Sequence, residues 1–113
     1  MSLGIARPLY WREVSDMTRV AVVQYHTTTV STERNCQLIE DVLIELAARD
    51  PGGLHYQVFQ FDNGAGFIHV AVFDGTTDPF AECGAYRNFH RELGERLAAP
   101  PIVTRAVLIG SYP

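Results

Sequence analysis

The chain has 113 residues and a mass of 12.6 kDa, 47% of them apolar and 19% charged, which fits one compact domain and excludes a disordered chain. Its 9 basic against 13 acidic residues, net −4, lack the basic footprint on which nucleic-acid binding depends. No apolar run approaches the roughly 20 residues of a membrane-spanning helix, and the N-terminus has no export signal, so the expected location is the cytoplasm.

All nine basic residues are arginine, a composition that codon usage explains more simply than a need for bidentate anion recognition. Cys36 and Cys83 show neither CxxC spacing nor a Cys/His metal pattern and read as reduced, buried helix residues, with no metal site.

Residues 1–17, with Pro8, Tyr10 and Trp11 but no sustained period, read as an N-terminal arm, and residues 18–113 as a single domain. Arg19 to His26 is rich in β-branched and aromatic residues and predicts a first strand. Ser31 then offers an N-cap to a helix whose apolar positions are Cys36, Ile39, Val42, Leu43 and Leu46, with Glu33, Arg34, Glu40, Asp41 and Glu45 on the remaining surface. Asp50-Pro51-Gly52-Gly53 stops it near Arg49.

Leu54 to Phe61 and Phe67 to Phe73 predict two strands joined at Asn63-Gly64, a hairpin signal. Asp78-Pro79 predicts the start of a second helix with the apolar stripe Phe80, Cys83, Tyr86, Phe89, Leu93 and Leu97. Pro100-Pro101 ends it, and Ile102 to Ile109 predicts a fourth strand.

The order β-α-β-β-α-β predicts an α+β, ferredoxin-like fold: a four-stranded antiparallel sheet with both helices on one face. A sheet covered on one face should alternate apolar and polar residues. Here both parities are largely apolar, as in Val20 and Val22 against Ala21 and Val23, or Phe67 and Ala71 against Ile68, Val70 and Val72. Two helices cover one face, so the other predicts an apolar interaction surface, and a homodimer through the open sheet face is expected.

This pattern resembles the dimeric α/β-barrel superfamily, and within it the antibiotic-biosynthesis-monooxygenase-like proteins, over residues 18–112. Asp50 to Val58 is similar to the family's PGxxxY lead-in to the second strand, and Phe67 to Asp74 to its third strand. The resemblance implies a cavity between sheet and helices, used in characterised relatives for cofactor-independent oxygenation of phenolic or anthrone-like polyketides. Other relatives oxidise quinols or degrade haem. The third strand commonly ends in Trp-Glu, where this chain has Phe73-Asp74, and its only tryptophan is Trp11. His90 can imitate the histidine of the haem-degrading relatives, but their Trp and Asn have no counterparts at the matching positions. The resemblance therefore implies no cofactor.

His69 is the sharpest candidate, an imidazole on a strand of Phe, Ile, Val and Ala, where burial without a partner is costly. A two-residue type I′ turn at Asn63-Gly64 pairs Val58 with His69 and Tyr56 with Ala71, placing His69 and Tyr56 on one face with Leu54, Phe67 and Phe73. The two are the candidate catalytic residues: such a site orients a phenol and accepts its proton, leaving an electron-rich anion to meet oxygen. A core or dimer-interface histidine bonded to a protein acceptor is the competing reading. Tyr86 and His90, at i and i+4, border the inward face of the second helix, and with Phe73 and Arg105 they are the candidate substrate-binding residues. For Arg105 an intersubunit salt bridge serves equally well. His26 and His55, at strand ends, and Arg87 read as solvated.

The same element order builds RNA-recognition domains. Their third-strand signature of a basic residue and alternating glycines and aromatics survives only as Gly64, Gly66 and Phe67, so RNA binding is rejected. The contest is between a cofactor-free monooxygenase-like protein acting on a small aromatic substrate and a non-catalytic dimeric barrel that binds a small molecule or only assembles. The first predicts a cavity of roughly 300 Å³ or more with His69 or Tyr56 at its wall; the second predicts a filled interior or a cavity without a competent base.

Overall fold

The computed structural model describes residues 19–113, so the expected arm at 1–17 lies outside the described residues. The elements are β1 (Arg19–His26), α1 (Thr32–Arg49), β2 (Leu54–Gln60), β3 (Gly66–Phe73), α2 (Gly84–Arg91), a four-residue α3 (Leu93–Arg96) and β4 (Ile102–Val107). All neighbours in the sheet are antiparallel, in the order β2-β3-β1-β4, which is the split-βαβ arrangement of the ferredoxin-like fold.

The register puts Ala21, Val23, Tyr25, Leu54, Tyr56, Val58, Phe67, His69, Ala71 and Phe73 on the helix-facing side, where they pack with Leu38, Ile39, Val42, Phe80, Cys83 and Phe89. Val20, Val22, Ile68, Val70 and Val72 have the opposite parity, on the face without helices. Among the described residues no helix is long and apolar enough to cross a membrane. Cys36 and Cys83 are free thiols; Cys83 is fully buried but precedes α2 rather than lying within a helix.

Four local expectations are corrected. Ser31 does not cap α1: it ends a 3-10 turn at Thr29–Ser31, and the Thr32 hydroxyl bonds back to the Thr28 carbonyl at 3.2 Å. The buried stripe of α1 is Asn35, Leu38, Ile39 and Val42, whereas Leu43 is 40% exposed. The stripe is thus turned toward a polar residue, Asn35.

The second helix does not begin at Asp78. Asp78 stabilises only a turn, its carboxylate accepting from the Phe80 amide at 3.0 Å. Instead α2 starts at Gly84, where the Glu45 carboxylate of α1 accepts from the Gly84 and Ala85 amides at 3.1 and 2.9 Å. A carboxylate at a helix N-terminus satisfies otherwise orphaned donors and meets the positive end of the dipole. These bonds and the neighbouring Arg49 hold Glu45 down to about 2.

Between β2 and β3, Phe61 and Gly66 close a loop in which the Gly64 amide bonds the Phe61 carbonyl and only Gly64 has positive φ. The type I′ turn is therefore absent, since it needs positive φ at both central residues. The expected register holds nonetheless, with Val58 opposite His69 and Tyr56 opposite Ala71. Asn63 contributes through its side chain, accepting from the Ala65 and Gly66 amides at 2.9 and 3.0 Å.

Candidate functional site

A pocket of about 80 Å³ lies between the sheet and α2, and its wall includes Tyr56, His69, Phe73, Tyr86 and His90. The two candidate catalytic residues and three of the four candidate binding residues thus come together. Tyr56 on β2 and His69 on β3 are diagonal neighbours on one sheet face. Tyr86 and His90 approach from α2, their rings edge-to-face at 4.4 Å. Phe80 stacks on Tyr86 at 4.1 Å and receives the Tyr56 ring edge-on at 5.3 Å. Such edge-to-face and stacked contacts are the arrangements an aromatic guest also seeks.

Arg105 stands apart, on the exposed edge strand β4. With Phe73, Phe80 and Tyr86 it lines an outer cleft of about 360 Å³ that shares those walls with the inner pocket. The inner pocket alone is well below the roughly 300 Å³ of an ordinary ligand site; the outer cleft exceeds it. Arg19, at the start of β1, also lines this cleft and lies 5.3 Å over the Phe73 ring. His55 is exposed, 3.7 Å from Asp74, and Arg87 bonds the Ala81 carbonyl at the surface.

His69 is 7% exposed and both ring nitrogens are occupied: Nε2 lies 2.7 Å from the Tyr25 hydroxyl and Nδ1 2.7 Å from the Tyr56 hydroxyl. Burial, and to a lesser degree the charge of His90, pushes His69 down to about 4, so it is neutral near neutral pH. Burial raises Tyr56 well above the ordinary phenol range and Tyr25 to about 12, the latter opposed by its hydrogen bond from Asn35 and the charge of Arg96. Burial also lowers His90, with a smaller contribution from Arg96. Among the described residues the imidazole of His90, an exposed residue, makes no hydrogen bond, so its nitrogens are open to a guest or to solvent.

Behind His69 the chain of polar groups continues. Asn35 Nδ2 donates to the Tyr25 oxygen at 2.9 Å, and Arg96 Nε donates to Asn35 Oδ1 at 2.9 Å. Arg96 also donates to the Phe89 carbonyl at 2.8 Å and lies over the Phe89 ring. Tyr25, Asn35 and Arg96 are each at most 5% exposed, and sequence reasoning singled out none of them. The one available signal was the spacing of Asn35 with Leu38, Ile39 and Val42, which is i, i+3, i+4 and i+7 on a helix.

No protein-family model matches the sequence, and no curated protein matches it closely. Solved structures do match over nearly their whole length. Rv0793 from Mycobacterium tuberculosis superposes with a TM-score of 0.69 at 13% identity, covering 85% of this chain and 99% of its own. An antibiotic biosynthesis monooxygenase matches with a TM-score of 0.61 at 14% identity, covering 83% and 100%. The fold is that of the antibiotic biosynthesis monooxygenases. A protein of Caulobacter crescentus CB15 provisionally given that name adds a TM-score of 0.69 at 12% identity, covering 90% and 99%. Within the monooxygenase fold the pocket described above lies between sheet and helices, where the resemblance in sequence predicts a cavity. At these identities the likeness carries the fold and leaves the chemistry to the residues.

Proposed function

We propose that the chain binds a small aromatic hydroxyl compound with one end in the Tyr56–His90 pocket and its body in the Arg105 cleft, and oxidises it with dioxygen without a cofactor. The observation that carries this reading is the convergence of Tyr56, His69, Phe73, Tyr86 and His90 on one aromatic-walled pocket. His90, neutral and open to the pocket, is the base that receives the substrate proton. Tyr56 touches the substrate oxygen. His69, with both nitrogens bonded to tyrosines, is a positioning residue acting through Tyr56, a revision of the direct base role. The resulting anion is electron-rich at the ring carbons. For a ring methylene, dioxygen adds to give a hydroperoxide, and loss of water leaves a carbonyl. One oxygen atom stays, the other departs with both hydrogens, and no external reductant is needed.

The small inner volume and the saturated His69 favour a second reading, a binding protein without turnover. Oxygen consumption by the purified protein with hydroquinones and hydroxylated anthrones separates them. Saturable uptake that is lost in His90→Gln supports the oxygenase. Binding of these compounds with no uptake overturns it in favour of a binder. We also propose that the protein is a homodimer through Val20, Val22, Ile68, Val70 and Val72, the apolar stripe on the helix-free face.

A further inference from the structure

The buried polar chain has a direction, set at the end remote from the pocket. Arginine carries only donors, so the Asn35 atom 2.9 Å from Arg96 Nε is the amide oxygen, and the amide NH₂ is thereby turned toward Tyr25. The Tyr25 oxygen accepts there, and its own proton has the His69 Nε2 as acceptor at 2.7 Å. A neutral imidazole that accepts at Nε2 carries its proton on Nδ1, and Nδ1 therefore donates to the Tyr56 oxygen at 2.7 Å. The Tyr56 proton is the one left over, and Tyr56 lines the pocket.

The opposite polarity fails at Tyr25. With Asn35 and Nε2–H both donating to the Tyr25 oxygen, the Tyr25 hydroxyl proton is left without an acceptor at a site 3% exposed, which disfavours that arrangement by roughly one to two orders of magnitude in population.

We infer that Asn35, oriented by Arg96, fixes Tyr56 as a hydrogen-bond donor to the pocket, so the site takes ligands that present an acceptor oxygen there: a phenolate, an enolate or a quinone-type carbonyl. This ligand class rests on the Tyr56 pocket being the functional site. Asn35 and Arg96 do not line the pocket; they are positioning residues, acting through Tyr25, His69 and Tyr56 across β1, β3 and β2.

The test is the tautomer of His69, read from imidazole ¹⁵N resonances of the labelled full chain near neutral pH. The expected result is Nδ1–H. An Nε2–H tautomer in the wild type overturns the inference. Asn35→Asp keeps an acceptor for Arg96 but offers Tyr25 only an acceptor, so every bond down the chain reverses and His69 should switch to Nε2–H. An unchanged Nδ1–H in a folded Asn35→Asp overturns the role of Asn35. If that variant does not fold, Tyr25→Phe, which keeps the ring on Phe67 but severs the chain, must abolish the tautomer preference; its persistence overturns the inference equally.

The ligand arm uses 2-naphthol, whose anion absorbs beyond the protein. Its bound form should ionise about tenfold more readily than the free dye in the wild type, and Asn35→Asp should remove or invert that shift. Binding without such a shift overturns the ligand class. No binding, with Nδ1–H observed, overturns the proposed pocket function while the polarity of the chain stands.

Discussion

His69 links the fold's stability to pH because burial penalises its charged form, with a smaller contribution from the charge of His90. The unfolded imidazole titrates near 6.5 and the folded one near 4. Between these values the unfolded chain binds more protons, so stability is full above pH 6.5 and falls as pH drops toward 4. The expected loss is about 2 kcal/mol at pH 5 and about 3 kcal/mol by pH 4, read from urea midpoints. A His69 NMR titration centred near 6.5 would show that the imidazole is not held as described. Tyr56→Phe keeps the edge contact with Phe80 but strips His69 Nδ1 of its partner. It should cost about 1–3 kcal/mol of stability and abolish the naphtholate preference. His69 and Tyr56 were legible in the sequence because each is a polar group on an apolar strand parity. Tyr25 and Arg96 were not: a tyrosine on a strand and an arginine near a helix end have ordinary solvated or core roles. The partner that gives Arg96 its meaning lies 61 residues away.

At the scale of elements, the strands were legible to within a residue or two and the second helix was not. Alternation and β-branching mark strands locally, whereas the start of α2 is fixed by a residue of another element. Glu45 looked like one of several surface acids on α1, yet its carboxylate holds the Gly84 and Ala85 amides. Glu45→Ala should speed amide exchange at these two positions and at the following turn of α2, leaving exchange in β1 and β3 unchanged. Protection that persists at Gly84 and Ala85 would mean that the cap is dispensable. The β2–β3 hairpin shows how a right register can follow from a wrong turn. A two-residue I′ turn and the observed loop bring the same strand residues opposite each other, so the pairing did not depend on which turn forms. The loop depends instead on Gly66, where a Cβ would run into the Phe61 ring and the His26 imidazole. Gly66→Ala should therefore destabilise by about 1–3 kcal/mol, measurable by thermal unfolding.

At the scale of the whole molecule, the helices cover one face of the sheet and leave five valine and isoleucine side chains of the two central strands on the other. Phe59 on β2 and Ile102 on β4 extend this face to the sheet edges and are 47% and 64% exposed. The sequence announced this surface by making both strand parities apolar, but one chain does not specify what covers it. A second copy is the occupant we propose, because the face is uncharged along its centre and self-complementary pairing about a two-fold axis buries the same patch on both subunits. Val70 sits mid-strand between Val22 and Gln57. An aspartate there would be buried without a counter-charge in the dimer but solvated in the monomer, while the helix-side pocket has the opposite parity and keeps its packing. Val70→Asp should weaken self-association by two orders of magnitude or more, seen as a halved mass in sedimentation equilibrium, with the His69 tautomer unchanged. A wild-type protein that sediments as a monomer at tens of micromolar, or a Val70→Asp variant that remains dimeric, would move the interface off this face. The distinction also bears on the site, because Arg105 lies on the edge strand β4 and faces the helix side with Ala21. Dimerisation across the open face leaves the Arg105 cleft accessible. An interface found elsewhere that covers β4 would close the cleft and leave only the inner pocket of about 80 Å³, too small for the aromatic ligands proposed.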